Sequence, residues 1–258
     1  MRVLRGRRER PTADRAATAD LLERAADGTA GVRVWAPTQQ VAFGRRDTRE
    51  SGYSAAKRIA EESGFTPIER DVGGRAVAYT GETLAFAVAV PRTDDAGSIG
   101  IDERYTWATR TVRSVLSDLG AETEAGEPPE SFCPGDHSIR VVDGGKLSGI
   151  AQRVRADVAL VAGCVVITRA DASALASVVD PVYDALGVPF DPDSVGSVAT
   201  AGGPDDHRTV ARAVESGLVR AIDGDGMVGD PTQGEPTQGE PTQGEPTQDE
   251  PTQGETRE

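Results

Sequence analysis

Cysteine is nearly absent from this chain, since only Cys133 and Cys164 occur among its 258 residues. Two cysteines are too few for the disulfide framework of a small secreted protein. The amino-terminal run Met-Arg-Val-Leu-Arg-Gly-Arg-Arg lacks the apolar core of a signal peptide. No apolar run reaches the roughly 20 residues that span a bilayer. These shortages predict a soluble, cytoplasmic protein with no membrane partner.

Lysine and aromatic residues are scarce as well. Aromatic residues make up 4% of the chain, and Lys57 and Lys146 are the only lysines among its 28 basic residues. The formal net charge is −14, from 42 acidic and 28 basic residues. Nucleic-acid binding needs a basic patch, so this acidic chain is not expected to bind nucleic acid. The acid excess also leads to the hypothesis of a halophilic protein, which predicts loss of its near-UV circular dichroism at low salt.

The carboxyl-terminal segment is a low-complexity repeat. From Pro231 the sequence repeats Pro-Thr-Gln-Gly-Glu, with one Asp variant at Asp249. Such a repeat has no apolar side chains to bury and cannot offset the entropy of the unfolded chain. We therefore expect residues 1–222 to form one domain and residues 223–258 to form a disordered acidic tail.

Hydrophobic spacing and turn residues divide the body of the chain into helices and strands. Helices are predicted over residues 12–26, 49–63, 102–119, 172–186 and 205–222. Strands are predicted over residues 32–35, 41–43, 67–70, 76–79, 84–90, 138–142, 147–152 and 158–168. A mixed sheet with packed helices, in the α+β class, accounts for this order.

Three local features refine this expectation. The strands at residues 67–70, 76–79 and 84–90 are expected to be neighbours joined by tight turns. Residues 124–129, rich in Glu and Pro, are expected to form an exposed loop. Pro181 is expected to break or kink its helix, because proline removes a helical hydrogen bond.

Two glycine-containing motifs give the best indication of function. Arg70, Gly73, Gly74 and Arg75 stand between two predicted strands, and Lys146 follows a glycine pair in Gly-Gly-Lys-Leu-Ser-Gly-Ile-Ala-Gln. Glycines allow backbone N–H groups to approach a phosphate closely. A lysine in a chain that otherwise uses arginine supplies a compact ammonium rather than a planar guanidinium. The alternative is an ordinary surface lysine.

These motifs resemble a known family. The run from Arg70 to Tyr79, followed by Gly-Glu-Thr-Leu at residues 81–84, resembles the signature of the lipoate-protein ligase and octanoyltransferase family. The run Lys-Leu-Ser-Gly-Ile-Ala-Gln at residues 146–152 resembles the lysine motif of that family. The resemblance extends over about residues 12–222 and implies a catalytic domain like that of biotin and lipoate ligases.

The resemblance implies a ligase that uses ATP and Mg²⁺ to attach lipoate or octanoate to a carrier lysine through an acyl-adenylate. Arg70 would contact the nucleotide or acyl phosphate, and Lys146 would hold the carboxyl or acyl-phosphate oxygens and stabilise charge in the transition state. The remaining nucleotide-binding residues would be Gly73, Gly74, Arg75, Ala76, Val77 and Ala78. The implied acceptors are lipoyl domains of 2-oxoacid dehydrogenase complexes or the glycine cleavage H protein. Such ligases also use an accessory domain, which would here be a separate protein.

Cys133 supports a second mechanism within the same family. One octanoyltransferase branch carries the acyl group as a thioester on a loop cysteine shortly before the lysine motif, where Ser-Phe-Cys-Pro stands in this chain. Such an enzyme needs no ATP. Lys146, if near, would favour the thiolate and stabilise the oxyanion. The alternative is a small loop cysteine with no chemical role.

Other readings remain open or are disfavoured by the residues. Three positions depart from the family pattern, which leaves open a relative that binds an acyl group or a carrier without catalysis; they are Glu69, the pair Tyr79 and Thr80, and the pair Ala162 and Gly163. The two histidines and two cysteines lack the spacing of metal ligands, so no metal site of the protein's own is predicted. A serine hydrolase is disfavoured because no Gly-x-Ser-x-Gly run occurs.

Overall fold

The computed structural model describes residues 1–70, 74–92 and 99–224. Within them the helices are α1 Pro11–Ala26, α2 Tyr53–Glu62, α3 Ile101–Asp118, α4 Arg169–Leu186 and α5 His207–Gly224. The strands are β1 Arg2–Arg5, β2 Gly31–Trp35, β3 Gln40–Phe43, β4 Thr66–Glu69, β5 Val77–Tyr79, β6 Leu84–Pro91, β7 Thr123–Ala125, β8 Ser138–Val141, β9 Lys146–Val154 and β10 Val158–Val165.

The strands of the described residues form two sheets. The larger sheet has seven strands in the order β1-β2-β6-β10-β9-β8-β7, and the smaller has three in the order β4-β3-β5. Each sheet contains one parallel pair, β1 with β2 and β3 with β4, and its other pairs are antiparallel. The predicted α+β class with a mixed sheet is confirmed, although the strands divide between two sheets.

Helices cover both faces of the larger sheet. Neighbouring residues of a strand point to opposite faces, so Val88 of β6 packs into the cluster formed with α3 and α5. Ala87 and Ala89 pack into the cluster that contains Leu21 and Leu22 of α1. The smaller sheet packs with α2 and α4 in a third cluster. None of the helices in the described ranges is both long and apolar enough to cross a membrane.

Pro181 does not break its helix, because α4 runs without interruption from residue 169 to residue 186. Its amino terminus is capped by Thr168 Oγ1, which accepts a hydrogen bond from the Asp171 N–H at 2.9 Å. Gly187 ends it in the left-handed region at φ 65°. The buried face of the helix offsets the hydrogen bond that proline removes, since Val178, Val179 and Val182 all lie in the core.

Other local predictions also need correction. The helix predicted over residues 49–63 is shorter than expected, because a separate 3₁₀ turn, Asp47–Arg49, precedes α2, which spans Tyr53–Glu62. Strands β4 and β5 both pair with β3 and not with each other, while β6 belongs to the larger sheet. The expected loop at residues 124–129 begins inside β7, and strand β1 was not predicted. Helix α5 continues to Gly224, two residues into the segment assigned to the tail; residues 225–258 lie outside the described part of the chain.

Candidate active site

A cavity of about 510 Å³ opens where the two sheets and the loop before β8 meet. Of the residues predicted from sequence, Arg70, Gly74, Val77 and Cys133 line it. Lys146 is fully buried directly behind Gly149, which also lines the cavity. Residues that are far apart in the sequence therefore meet at one place. Gly73 lies outside the described residues.

One wall of the cavity is built from small side chains in register on three strands. Cys164 of β10 stands opposite Gly149 of β9 and Ala85 of β6, and Ala162 stands opposite Ala151. All five line the cavity. Because they alternate along their strands, they share one face of the larger sheet. This face leaves a narrow space that suits an unbranched apolar group.

The backbone at Gly74 lies close to two neighbouring segments. Gly74 has φ +90°, a conformation that side chains rarely adopt. A Cβ on Gly74 would lie 2.9 Å from Cys133 Sγ, and a Cβ on Gly44 would lie 2.1 Å from the Gly74 carbonyl oxygen. The two glycines therefore allow the backbone at Gly74 to lie against both the end of β3 and the Cys133 thiol.

Cys133 is held in an unusual backbone conformation. Its φ is +44°, although it is not glycine, and such a conformation costs on the order of 1–3 kcal/mol unless the surroundings enforce it. The Cys133 N–H donates to the Tyr183 hydroxyl at 2.6 Å, and that hydroxyl donates to the Ala76 carbonyl oxygen at 2.9 Å. Helix α4 thus fixes the loop of residues 127–133, called the cysteine loop below, onto the residues that lead into β5.

Arg70 touches the thiol directly. Its Nη2 donates to Cys133 Sγ at 3.1 Å and to the Arg75 carbonyl oxygen at 2.6 Å. Its buried Nε has no partner among the described residues. The Arg75 side chain is engaged elsewhere, with Glu50 at 2.7 Å and Asp47 at 3.4 Å. The carbonyls of Arg75 and Ala76, expected along a nucleotide, thus already accept hydrogen bonds from Arg70 and from α4.

Lys146 binds the cysteine loop from the interior of the protein. Its Nζ lies 3.0 and 3.2 Å from the two carboxylate oxygens of Glu127. It also donates to the carbonyl oxygens of Phe132 at 3.0 Å and Cys133 at 2.8 Å. An ammonium has three N–H donors, and these partners use all of them. A buried ammonium needs such compensation because taking it out of water is costly.

Burial shifts the ionisation of three groups near the cavity. Burial, together with the electrostatic effect of the neighbouring Cys133, raises the pKa of Tyr183 well above its ordinary value, so its hydroxyl stays protonated. Burial raises the pKa of Cys164, although the Gly149 backbone and Lys146 act in the opposite direction. Burial also raises the pKa of Asp47, against the effects of the Gly44 N–H and Arg75.

Glu127 and Tyr183, which both fix the cysteine loop, were not predicted from the sequence. Glu127 stands in the segment predicted to be an exposed loop, 19 residues before Lys146, and Tyr183 stands 50 residues after Cys133. Separations of this size leave no periodic signal in one sequence. In the structure Tyr183 lies on the buried face of α4 with Val179 and Val182.

A second and larger groove, of about 960 Å³, lies between α3 and β7. It is open, with Arg113 and Glu122 among its lining residues. It shares Asp136, His137 and Ser138 with the smaller cavity, so the two are adjacent. None of the residues predicted to act chemically lines it. The smaller cavity is therefore the candidate active site.

Comparison with known proteins is consistent with this geometry. The chain is 32% identical over 154 residues to an octanoyl-[GcvH]:protein N-octanoyltransferase of an Exiguobacterium species, an alignment that covers 59% of this chain and 53% of the relative. It is 26% identical over 122 residues to a lipoyl-[GcvH]:protein N-lipoyltransferase of Listeria monocytogenes, covering 47% of this chain and 43% of the relative. The chain thus spans about half the length of the curated relatives it matches.

Solved structures share the fold. A lipoate-protein ligase A bound with ATP matches with a TM-score of 0.66 and 19% identity, covering 86% of this chain and 85% of the other. A bi-partite lipoate protein ligase from Thermoplasma acidophilum matches with a TM-score of 0.62 and 17% identity, covering 86% and 84%. The family model described as the lipoyl protein ligase A/B catalytic domain matches residues 12–215. The chain therefore belongs to the lipoyl protein ligase A/B catalytic domain family.

Proposed function

We propose that this protein is a cysteine-dependent acyltransferase that moves an octanoyl or lipoyl group from one carrier lysine to another. The single observation that carries the proposal is the Cys133 thiol, which lines the cavity 3.1 Å from the Arg70 guanidinium. A thiolate is the reactive form of cysteine, and a neighbouring cation stabilises it. The names of the two relatives fit the same chemistry, because each transfers its acyl group from GcvH to a protein amine.

The first step of the proposed reaction loads the enzyme. The Cys133 sulfur attacks the carbonyl carbon of an acyl-lysine amide on GcvH, the carbon–nitrogen bond breaks, and the lysine amine leaves with the thiol proton. The product is an acyl thioester on Cys133. The apolar chain lies along the wall of small residues that includes Gly149 and Ala162. Arg70 stabilises the negative charge on sulfur as the thiolate attacks.

The second step transfers the group to the acceptor. The amine of a lysine on a lipoyl domain attacks the thioester, the carbon–sulfur bond breaks, and the proton lost by the amine returns to sulfur. One amide is exchanged for another, so the cycle balances without ATP. The acceptors implied are lipoyl domains of 2-oxoacid dehydrogenase complexes. Lys146 keeps the cysteine loop in place through both steps, by its bonds to Phe132 and Cys133.

An ATP-dependent ligase is the second candidate, because the glycine turn and Lys146 meet at the same cavity. In that reaction Arg70, Gly73, Gly74 and the backbone of residues 75–78 would hold the nucleotide, whose phosphates with Mg²⁺ activate the carboxylate. The contacts of these residues fit the transferase better. Arg70 is bonded to Cys133, Arg75 is bonded to Glu50 and Asp47, and both carbonyls that precede β5 are occupied.

The test is intact-protein mass spectrometry with octanoylated GcvH as donor and an unmodified lipoyl domain as acceptor. We expect octanoyl transfer without ATP, an octanoyl adduct that peptide mapping locates on Cys133, and loss of both in Cys133→Ser. Modification that instead needs free octanoate and ATP, and that survives Cys133→Ser, would establish the ligase. Binding of a carrier with no modification under either condition would indicate a relative that binds without catalysis.

A further inference from the structure

Glu127 is the one carboxylate bonded to the Lys146 ammonium among the described residues. Its two oxygens lie 3.0 and 3.2 Å from Nζ. The Lys146 side chain is fully buried, while the Glu127 side chain keeps 23% of its surface exposed. The ion pair therefore joins a fully buried ammonium to a partly exposed carboxylate at the start of the cysteine loop.

The loop between Glu127 and Cys133 closes on this ammonium from both ends. Glu127 contributes its side chain, and Phe132 and Cys133 contribute their carbonyl oxygens. The Ser131 hydroxyl donates to Glu127 Oε1, which ties the middle of the loop to the same carboxylate. The whole loop is thus built around a single positive charge.

The carboxylate is the decisive part of this arrangement. Two backbone carbonyls are neutral, and they compensate a buried charge less well than an ion pair with additional hydrogen bonds. Without Glu127, the Lys146 ammonium would remain in the interior with no opposite charge in direct contact. Either the ammonium would move toward water or the loop would rearrange. Both outcomes would displace Cys133 from Arg70.

We infer that Glu127 is a positioning residue that fixes Lys146 against the cysteine loop and thereby sets the Cys133 sulfur beside Arg70. The inference rests on the proposed function for its catalytic consequence, but not for its structural one. Glu127 touches no reacting atom in the proposed cycle. Its effect on the reaction passes through Lys146 and the loop.

The kinetic test compares Glu127→Gln and Glu127→Asp with the control Glu124→Gln. Glu124 stands three residues earlier and pairs with Arg140 at 2.7 Å, away from Lys146. A misplacement of about 1 Å can cost about 10²-fold in rate, so we expect a fall in kcat of that order in Glu127→Gln. The KM for the acyl donor should stay within about twofold, because the cavity wall of small side chains, along which the acyl chain is proposed to lie, is unchanged. Glu127→Asp should recover part of kcat, since it restores the charge, and Glu124→Gln should match the wild type.

Amide hydrogen exchange tests the same inference without any reaction. We expect the amides of residues 130–133 to exchange faster in Glu127→Gln than in the wild type, and at the wild-type rate in Glu124→Gln. Wild-type exchange in this segment of Glu127→Gln would overturn the inference, whatever the activity. Faster exchange in a protein whose wild type transfers no acyl group would reject the proposed function and keep the positioning role. Global unfolding of both Glu127 variants would assign Glu127 to fold stability and also overturn the inference.

Discussion

The Nη2 atom of Arg70 donates to the Sγ atom of Cys133 across 3.1 Å, although the two residues are 63 positions apart in the sequence. The family resemblance implies separate roles for them, Arg70 at a phosphate and Cys133 as an acyl carrier. The structure brings both side chains to one cavity. A guanidinium that already contacts the thiol is a natural partner for the charge on sulfur.

Replacing Arg70 tests this contact. We expect Arg70→Ala to slow acylation of Cys133 by about 10²–10³-fold, the usual effect of removing one charge-stabilising donor. Arg70→Lys should recover only part of the rate, because it keeps the positive charge but replaces the guanidinium whose Nη2 donates to both Cys133 Sγ and the Arg75 carbonyl oxygen. The rate is measured by quenching the reaction at successive times and determining the acylated fraction by intact-protein mass spectrometry. Arg45→Ala, at an exposed position outside the cavity, serves as the control. Wild-type acylation in Arg70→Ala would contradict the assignment.

The two lysines of the chain form a natural pair for a stability test. Lys146→Met leaves Glu127 and two carbonyls without their cation, and breaking a buried ion pair costs about 3 kcal/mol or more. In a domain of this size that cost corresponds to a Tm lower by about 6–12 °C. Lys57 lies 4.6 Å from the centroid of the Tyr53 ring, a contact worth about 0.5 kcal/mol at an exposed site. Lys57→Met should therefore shift the Tm by much less, as read by thermal unfolding. Equal shifts in the two variants would show that Lys146 is not held as described.

Local pattern predicted much of the fold but little of the contacts at the site. The predicted helices at residues 12–26 and 102–119 appear as Pro11–Ala26 and Ile101–Asp118, because the spacing of apolar residues along a helix is encoded locally. The division into two sheets was not predicted, since pairing partners are set by long-range packing rather than by each strand's own residues.

The contacts at the candidate site were likewise not predicted where they join residues far apart in the sequence. Lys146 could be singled out by its place in a motif, but nothing in the residues 124–129 indicated that Glu127 turns inward to meet it. A loop expected to be solvated thus supplies the counter-charge of a buried ammonium. Pro181 illustrates the opposite case, in which the expected break in α4 is prevented by the tertiary packing of that helix.

The two cysteines should differ sharply in reactivity. Burial raises the pKa of Cys164, so its reactive thiolate form is scarcer near neutral pH, and only 4% of the residue is exposed. Cys133 is half-buried and lines the cavity. We expect iodoacetamide to modify Cys133 alone in the folded protein and both cysteines in guanidinium chloride, as counted by mass. Raising the pH should accelerate modification of Cys164 only above the range of an ordinary thiol. Equal rates at the two positions near neutral pH would refute this expectation.

Gly149 and Gly163 should fail in different ways when replaced by alanine. A Cβ on Gly163 would lie 2.5 Å from Phe86 Cζ and 2.6 Å from the Gly149 carbonyl oxygen, which is backbone and cannot move freely. Overpacking of this kind costs about 1–3 kcal/mol. A Cβ on Gly149 would lie 3.2 Å from Lys146 Cε and 3.6 Å from its Nζ, so a shift of a few tenths of an ångström relieves the contact. That shift moves the ammonium on which the cysteine loop rests.

We therefore expect Gly163→Ala to lower the Tm, while Gly149→Ala keeps a Tm near the wild type and slows transfer. The control is Gly224→Ala, where nothing lies within 4 Å of the added Cβ. Alanine there should leave both the Tm and the transfer rate unchanged or slightly raise the Tm, because alanine favours a helix over glycine. Thermal unfolding and the octanoyl transfer rate are measured on the same three proteins. If Gly149→Ala lost stability and activity in proportion, the glycine would serve packing alone, and the link from β9 through Lys146 to the cysteine loop would be broken.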